Sequence, residues 1–336
     1  MEKRKICFRK VNPIGMGCMG LSHGYGDIPS EAESIAAIRK AHDFGCEFYD
    51  TAEAYSPMLA GIGHNERILG KALDGFRNDI VLATKLHLNT AEVREKGLYE
   101  TIEAHLTASM ERLRTDHVDL YYLHRVNRDI PVEEVAEAMQ QLISKGMISG
   151  WGMSQVGVDT IRAADEVCHL SAVQNIYSMV ERSSEADVLP YLLAHDIALV
   201  PFSPVASGFL SGKVSADTDF SHRDDVRKFV PQLRRENIEA NQPLLQLIQE
   251  YAERKGATNA QISLAWMLKK YPNVIPIPGS KNAGRILENL GAWNVTFTDE
   301  EFTDLDGRLN AMKISGFRGH IEFQGGGMAA WGKKEK

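Results

Sequence analysis

The sequence predicts an α/β fold in which eight parallel strands close into a (β/α)8 barrel of the TIM type, and three observations support this. Short apolar runs alternate with longer amphipathic segments along most of the chain. The runs, such as IVLAT, VDLYYL and IALVPF, are continuously apolar, as parallel strands buried on both faces are. No linker or shift in composition divides the 336 residues. That favours a closed barrel, whose usual size is about 250 residues plus insertions, over a doubly wound open sheet.

The elements follow in order. Met1–Asn12 reads as a small hairpin covering the barrel bottom, and Ile14–Met19 as the first strand. Glu31–Phe44 carries Ile35, Ile38, Ala41 and Phe44 at helical spacing, and Ser30 with Glu33 forms a capping box ahead of it. Further strands are expected at Phe48–Asp50, Ile80–Lys85, Val118–His124, Ile148–Met153, Ala172–Asn175, Ala198–Phe202 and Val274–Ile277. Helices are expected at Glu100–Leu113, Val132–Lys145, Val158–Val167, Val188–His195, Asn237–Lys255, Gln261–Lys269 and Ala283–Leu290. Ser207–Pro231 is a long polar loop after the seventh strand, a length typical of lids and binding loops. One domain spans residues 1–315. A tail, 316–336, follows, in which Phe323 and Trp331 are candidates for packing.

Bulk properties exclude several classes. A net charge of −7 argues against a nucleic-acid binder, which needs a basic surface. Cys7, Cys18, Cys46 and Cys168 lie far apart, with neither a C-x-x-C pair nor a zinc spacing, so reduced thiols and no metal are expected. The basic N-terminus lacks the apolar stretch of a signal peptide, and no run reaches the ~20 apolar residues of a membrane span. A cytoplasmic protein is expected. Its oligomeric state is left open.

Gly15, Gly17 and Gly20 match G-x-G-x-x-G, but Leu21–Pro29 brings two more glycines and a proline before any helix starts. A dinucleotide fingerprint has to open a helix directly after a strand, so the match reads as a loop at the mouth of the first strand.

Active sites of such barrels lie at the C-terminal ends of the strands. There the second strand ends in Asp50 and runs on to Tyr55, the third ends in Lys85 and the fourth in His124. Singly, each has a plain structural explanation; together, on neighbouring strands, they suit protonation of an oxygen that becomes an alkoxide. Tyrosine, with a pKa of ~10, donates the proton. Lysine stabilises the phenolate, aspartate holds the lysine, and histidine aims the carbonyl. Hydride must then come from a cofactor.

Phosphate signals occur at the eighth strand end. Gly279, Ser280 and Lys281 precede a helix start, and Arg285 lies four residues after Lys281, which predicts one shared helix face. Two cations there suggest a 2′-phosphate, hence NADP(H), with Glu288 and Asn289 placed for adenine. Ser154, Gln155, Gln174 and Asn175 carry groups suited to a carboxamide, and Phe202 is placed to stack on its ring. Substrate-pocket candidates are Met19, Tyr25, Met58, His87 and Arg125. Arg125 would either attract an acidic substrate or form a salt bridge.

FYDTAEAY (48–55), NERILGKAL (65–73), ATK (83–85), VDLYYLH (118–124), LISKGMISGWGMS (142–154), VPFSP (200–204) and IPGSKNAGRILEN (277–289) together resemble the aldo-keto reductase family, in its longer, bacterial-type branch. The resemblance runs from the first strand to Leu309. It implies that Asp50, Tyr55, Lys85 and His124 are the catalytic four, in an NADPH-dependent reductase of aldehydes or ketones. It also implies a carboxamide held by Ser154 and Gln174, a nicotinamide over Phe202, and cofactor contacts from Ser203, Pro204 and Gly208. Gln155 stands where the family has asparagine or glutamate, Phe202 where many members have tyrosine, and Gly284 where a larger residue is common. Two further readings stay open: an NADPH-binding regulatory or redox-sensing protein, and a barrel enzyme using Lys85 as a Schiff-base nucleophile.

Overall fold

A computed structural model describes residues 2–56 and 60–318. Strands β1 (Arg4–Ile6) and β2 (Arg9–Val11) form an antiparallel hairpin. Seven strands follow in one parallel sheet, in sequence order: β3 (Met16–Gly17), β4 (Phe48–Asp50), β5 (Val81–Leu86), β6 (Leu120–Leu123), β7 (Trp151–Ser154), β8 (Ala172–Gln174) and β9 (Ala198–Leu199). Residues 274–279 complete the ring. Val274 bridges to Leu199 on one side and Gly279 to Gly17 on the other, both parallel, so the sheet closes into the expected barrel.

The last two strands are shorter than the sequence suggests. Pro201, Pro276 and Pro278 carry no N–H, so the ladder keeps only isolated bonds, such as Ile277 N to Pro201 O (3.0 Å) and Gly15 N to Pro276 O (2.9 Å). The glycines of the G-x-G-x-x-G match serve this closure. A Cβ on Gly17 would stand 2.6 Å from the Ile277 carbonyl oxygen, and one on Gly15 would stand 2.6 Å from Phe48. The chain then enters a single 3-10 turn, Met19–Leu21, rather than the helix of a nucleotide fold.

Two cores divide the interior. Inside the barrel, Phe48, Val81, Ala83, Leu120, Tyr122, Ala172, Ala198, Val200, Ile275 and Ile277 pack together, and Ile6 and Val11 of the hairpin stopper the bottom. The Arg4 guanidinium pins the hairpin by donating to the carbonyls of Leu268, Tyr271 and Val274. Between strands and helices lies the larger core, around Trp151, Tyr121 and Trp266.

The expected helix Asn237–Lys255 is two helices, Arg235–Ala240 and Gln242–Lys255. Pro243 sits in the first turn of the second, where its missing N–H does no harm. Helices His64–Ala72, Thr90–Lys96 and Asp299–Asn310 also form, the last behind a Thr298–Glu301 capping box. The loop 207–231 is not loose. It carries 3-10 turns and docks across the barrel mouth, with Tyr25 bridging to Asp225 and Gly24 N donating to Asp224 Oδ2 at 2.9 Å. Past residue 315 the chain stays on the body: Phe317 O accepts from Gln232 N, and the buried Arg318 donates to Ser203 Oγ at 3.1 Å. Phe323 and Trp331 lie outside the described residues. Among the described residues no helix is long and apolar enough to cross a membrane, and no cluster of potential metal ligands occurs.

Candidate active site

Side chains alternate across a strand, so residues two apart share a face. Phe48, Ala83, Tyr122 and Ala172 point into the barrel. Asp50, Lys85, His124 and Gln174, each two residues on, therefore project inward at the C-terminal rim, one pleat above that core. This is why β4, β5, β6 and, beyond β7, β8 deliver their last polar residues to one point.

Lys85 is at the centre and fully buried, at 0% exposure. Its three ammonium protons all have acceptors: Asp50 Oδ1, Thr51 O (2.8 Å) and Tyr55 Oη (2.9 Å). The other Asp50 oxygen accepts from Gln174 Nε2 at 2.8 Å. The His124 ring meets Tyr55 edge-on at 5.8 Å between centroids, and His87 lies 4.3 Å from His124. His23, which the sequence did not single out, approaches Tyr55 at 5.7 Å.

Burial dominates the ionisation of this cluster. It pushes Asp50 up and Lys85 down, each opposed by the charge of the other. His124 is driven well below the usual histidine range by burial and by the Arg125 charge, so its ring is neutral. Lysine was expected to lower the tyrosine pKa. Instead Tyr55 is held well above 10 by burial and by Asp50, and it is Arg125 that pulls it back. Asp50 acts on the phenol both by its charge and through a hydrogen bond.

A polar network braces the site from outside. Glu53 Oε1 accepts from the backbone N–H of His87 (3.1 Å), and its Oε2 lies 2.8 Å from His105 Nδ1. The second His105 nitrogen lies 3.2 Å from Glu92. Its hydrogen bond to Glu53 is the main reason that His105 is raised to about 9. A pKa raised on folding contributes stability that is fully present below about 6.5 and is lost as pH rises through about 9. Unfolding stability of the wild type is thus expected to fall over this window relative to His105→Gln. Parallel denaturant titrations of the two proteins from pH 6.5 to 9.5 check it, and superimposable profiles would refute the assignment.

A groove of about 280 Å³ runs outward along the barrel mouth. It is lined by Ser203, Pro204, Gly208, Gly279, Ser280, Lys281, Arg285, Glu288 and Asn289, all expected there, and also by Ser207, Lys213 and Arg227, which were not. Loop length marks Ser207–Pro231 as a candidate binding loop but does not single out these two cations, because the loop reaches the groove by docking on Gly24–Tyr25. Lys213 Nζ stands 3.6 Å from Glu288 across the groove. Ser203, Ala206 and Ser207 adopt left-handed backbone conformations, and Ser207 Oγ is buried with no partner among the described residues. Such strain concentrates at ligand clamps.

Several expectations need correcting. Lys281 and Arg285 do not share a helix face. Asn282 caps the helix Ala283–Leu290 through its side chain, so Lys281 precedes it and donates to the carbonyls of Tyr25 and Asp27. Both still line the groove, and Arg285 is exposed without an ion pair among the described residues. The Gln155 carbonyl oxygen accepts from Ile176 N, and both polar atoms of Asn175 are bonded to the Val156 backbone, so Asn175 is occupied locally. Tyr25 lines the groove rather than the Tyr55 end. Ser154 Oγ accepts from Arg125 at 2.9 Å, and Arg125 lies 5.9 Å over the Phe202 ring. Met19 is part-buried, with its methyl 3.0 Å from where a Gly24 Cβ would stand. Met58 lies outside the described residues.

The profile of the Aldo/keto reductase family matches residues 13–310. The chain belongs to the aldo/keto reductase family. Among its members, the chain is 34% identical over 325 residues to the aldo-keto reductase yakc (NADP(+)) of Schizosaccharomyces pombe, covering 94% of this chain and 93% of that one. Of solved aldo/keto reductase structures, one from Klebsiella pneumoniae, in complex with NADP and acetate, is 25% identical with a TM-score of 0.73, covering 95% and 99%. The glycerol dehydrogenase of Gluconobacter oxydans is 27% identical with a TM-score of 0.81, covering 92% and 95%.

Proposed function

We propose that the protein is an NADP(H)-dependent reductase of aldehydes or ketones, of the alcohol dehydrogenase type, with Tyr55 as general acid. The observation that carries this reading is the saturated Lys85 ammonium. Oη accepts from Lys85, and burial and Asp50 hold the phenol well above its usual pKa, so it stays protonated through neutral pH. His124 is neutral, and its Nδ1 is buried without a partner among the described residues. A ring protonated on Nε2 would offer one N–H to a carbonyl oxygen beside Tyr55. Removing water from this pocket strengthens both bonds to the developing alkoxide.

The groove suits a phosphorylated dinucleotide. Lys213, Arg227, Lys281 and Arg285 place four cations along it in a chain of net charge −7, and Ser207 Oγ waits unpaired. When bound, the reduced nicotinamide supplies the hydride. Arg285 and Lys281 would take the 2′-phosphate, Asn289 and Glu288 the adenine, and Phe202 the ring face. Two relatives are associated with the same cofactor, the NADP(+) enzyme yakc and the Klebsiella pneumoniae protein in its complex with NADP.

The test is oxidation of NADPH with 4-nitrobenzaldehyde and a panel of ketones, run beside NADH. Turnover with NADPH in preference to NADH is expected. Tight NADPH binding with no turnover across the panel would favour a binding protein. Lys281→Ala with Arg285→Ala is expected to reduce the NADPH-over-NADH preference by about 100-fold, about tenfold for each lost charge-assisted contact. Fluorescence titration with the two cofactors measures it, and an unchanged ratio would remove the 2′-phosphate from these residues.

A further inference from the structure

The charges around Tyr55 do not cancel. Asp50 and Lys85 neutralise one another. Burial lowers His23 and His87, the latter to about 4 with help from Arg125, and His124 is neutral as well. The Arg125 guanidinium is left over. Its Nη1 donates to the His124 carbonyl and to Ser154 Oγ, and among the described residues no aspartate or glutamate stands within ion-pair distance of it. Among the described residues its other nitrogens have no acceptor, yet they are not among the buried polar atoms, so they keep access to solvent. Nor is it needed for phosphate, because Lys281 and Arg285 line the groove with no acidic partner among the described residues and Arg125 does not line it.

A part-buried cation without a counter-charge is unfavourable unless a ligand supplies one. The free edge of a guanidinium matches the two oxygens of a carboxylate. We propose that Arg125 is the specificity residue of this site and selects carbonyl substrates that carry a carboxylate. The inference rests on the reductase reading for the carbonyl and on the uncompensated guanidinium for the acid.

The experiment compares acids with their methyl esters: phenylglyoxylate for a carboxylate next to the carbonyl, and 4-carboxybenzaldehyde for a remote one. The acid-to-ester ratio of kcat/KM is expected to fall at least about tenfold in Arg125→Gln in one of the two pairs, mainly through KM, and to be partly kept in Arg125→Lys. The responding pair locates the carboxylate. Ratios unchanged from wild type in both pairs would overturn the proposal. Benzoate and benzamide binding to the protein loaded with NADP+ separates this from the reductase reading. If no carbonyl turns over but Arg125→Gln weakens benzoate at least about tenfold and spares benzamide, the reductase reading fails and the acid site stands. If benzoate binds both proteins equally, the acid site fails whatever the turnover.

Discussion

Tyr55→Phe is expected to lower aldehyde turnover by about 10²–10⁴-fold, the usual weight of a positioned general acid, while NADPH affinity stays within about twofold. The two effects separate because the phenol lies at the inner end of the site, whereas the groove is built from residues 203–218 and 278–289 with Tyr25 and Arg227. The substitution also removes one of the three acceptors of the Lys85 ammonium. A buried donor left without a partner costs about 1–3 kcal/mol, so a modest loss of stability accompanies the loss of activity. Steady-state kinetics, cofactor fluorescence titration and denaturant unfolding on the same preparation separate the three. Wild-type turnover in this variant would sink the role of Tyr55. A matching loss of cofactor binding would point to a misplaced loop rather than a missing proton.

The legible part of the site was the part encoded locally. Asp50, Lys85 and His124 announce themselves because each ends an apolar run, and the period of two then fixes the face they share. Ser30 and Glu33 gave the first helix start by the same kind of short-range rule. What failed depended on a capping choice or on long-range docking. Spacing placed Lys281 on a helix, but the Asn282 side chain captures Arg285 N and starts the helix one residue too late. Pro201 and Pro276 left the apolar pattern intact and removed ladder donors, so strand length was misread. Arg227 and Lys213 enter the groove only because a segment some 200 residues from Gly24 folds back on it. Arg125 was visible as a cation, but whether an acid paired with it depended on which side chains packed nearby, which no local pattern specifies.

The second large effect concerns the buried pair itself. Removing one partner of a buried ion pair is expected to cost about 3–5 kcal/mol, because the other charge is left uncompensated. Asp50→Ala would strand the Lys85 ammonium, at 0% exposure, with only Thr51 O and Tyr55 Oη. Lys85→Met would leave Asp50 without its cation, holding only the neutral donors Gln174 and Tyr55 among the described residues. The double variant strands neither charge, so it is expected to recover most of the stability lost by the singles, since a buried pair is often worth little against apolar replacements. Turnover should not recover with it, because the double variant lacks the ammonium that orients Tyr55. Denaturant unfolding and kinetics on the four proteins of the cycle check both halves. Additive stability losses would mean that the two side chains act through separate contacts, and activity restored along with stability would make the pair a structural strut. A stable, folded and inactive double variant is the outcome that assigns the pair to the chemistry.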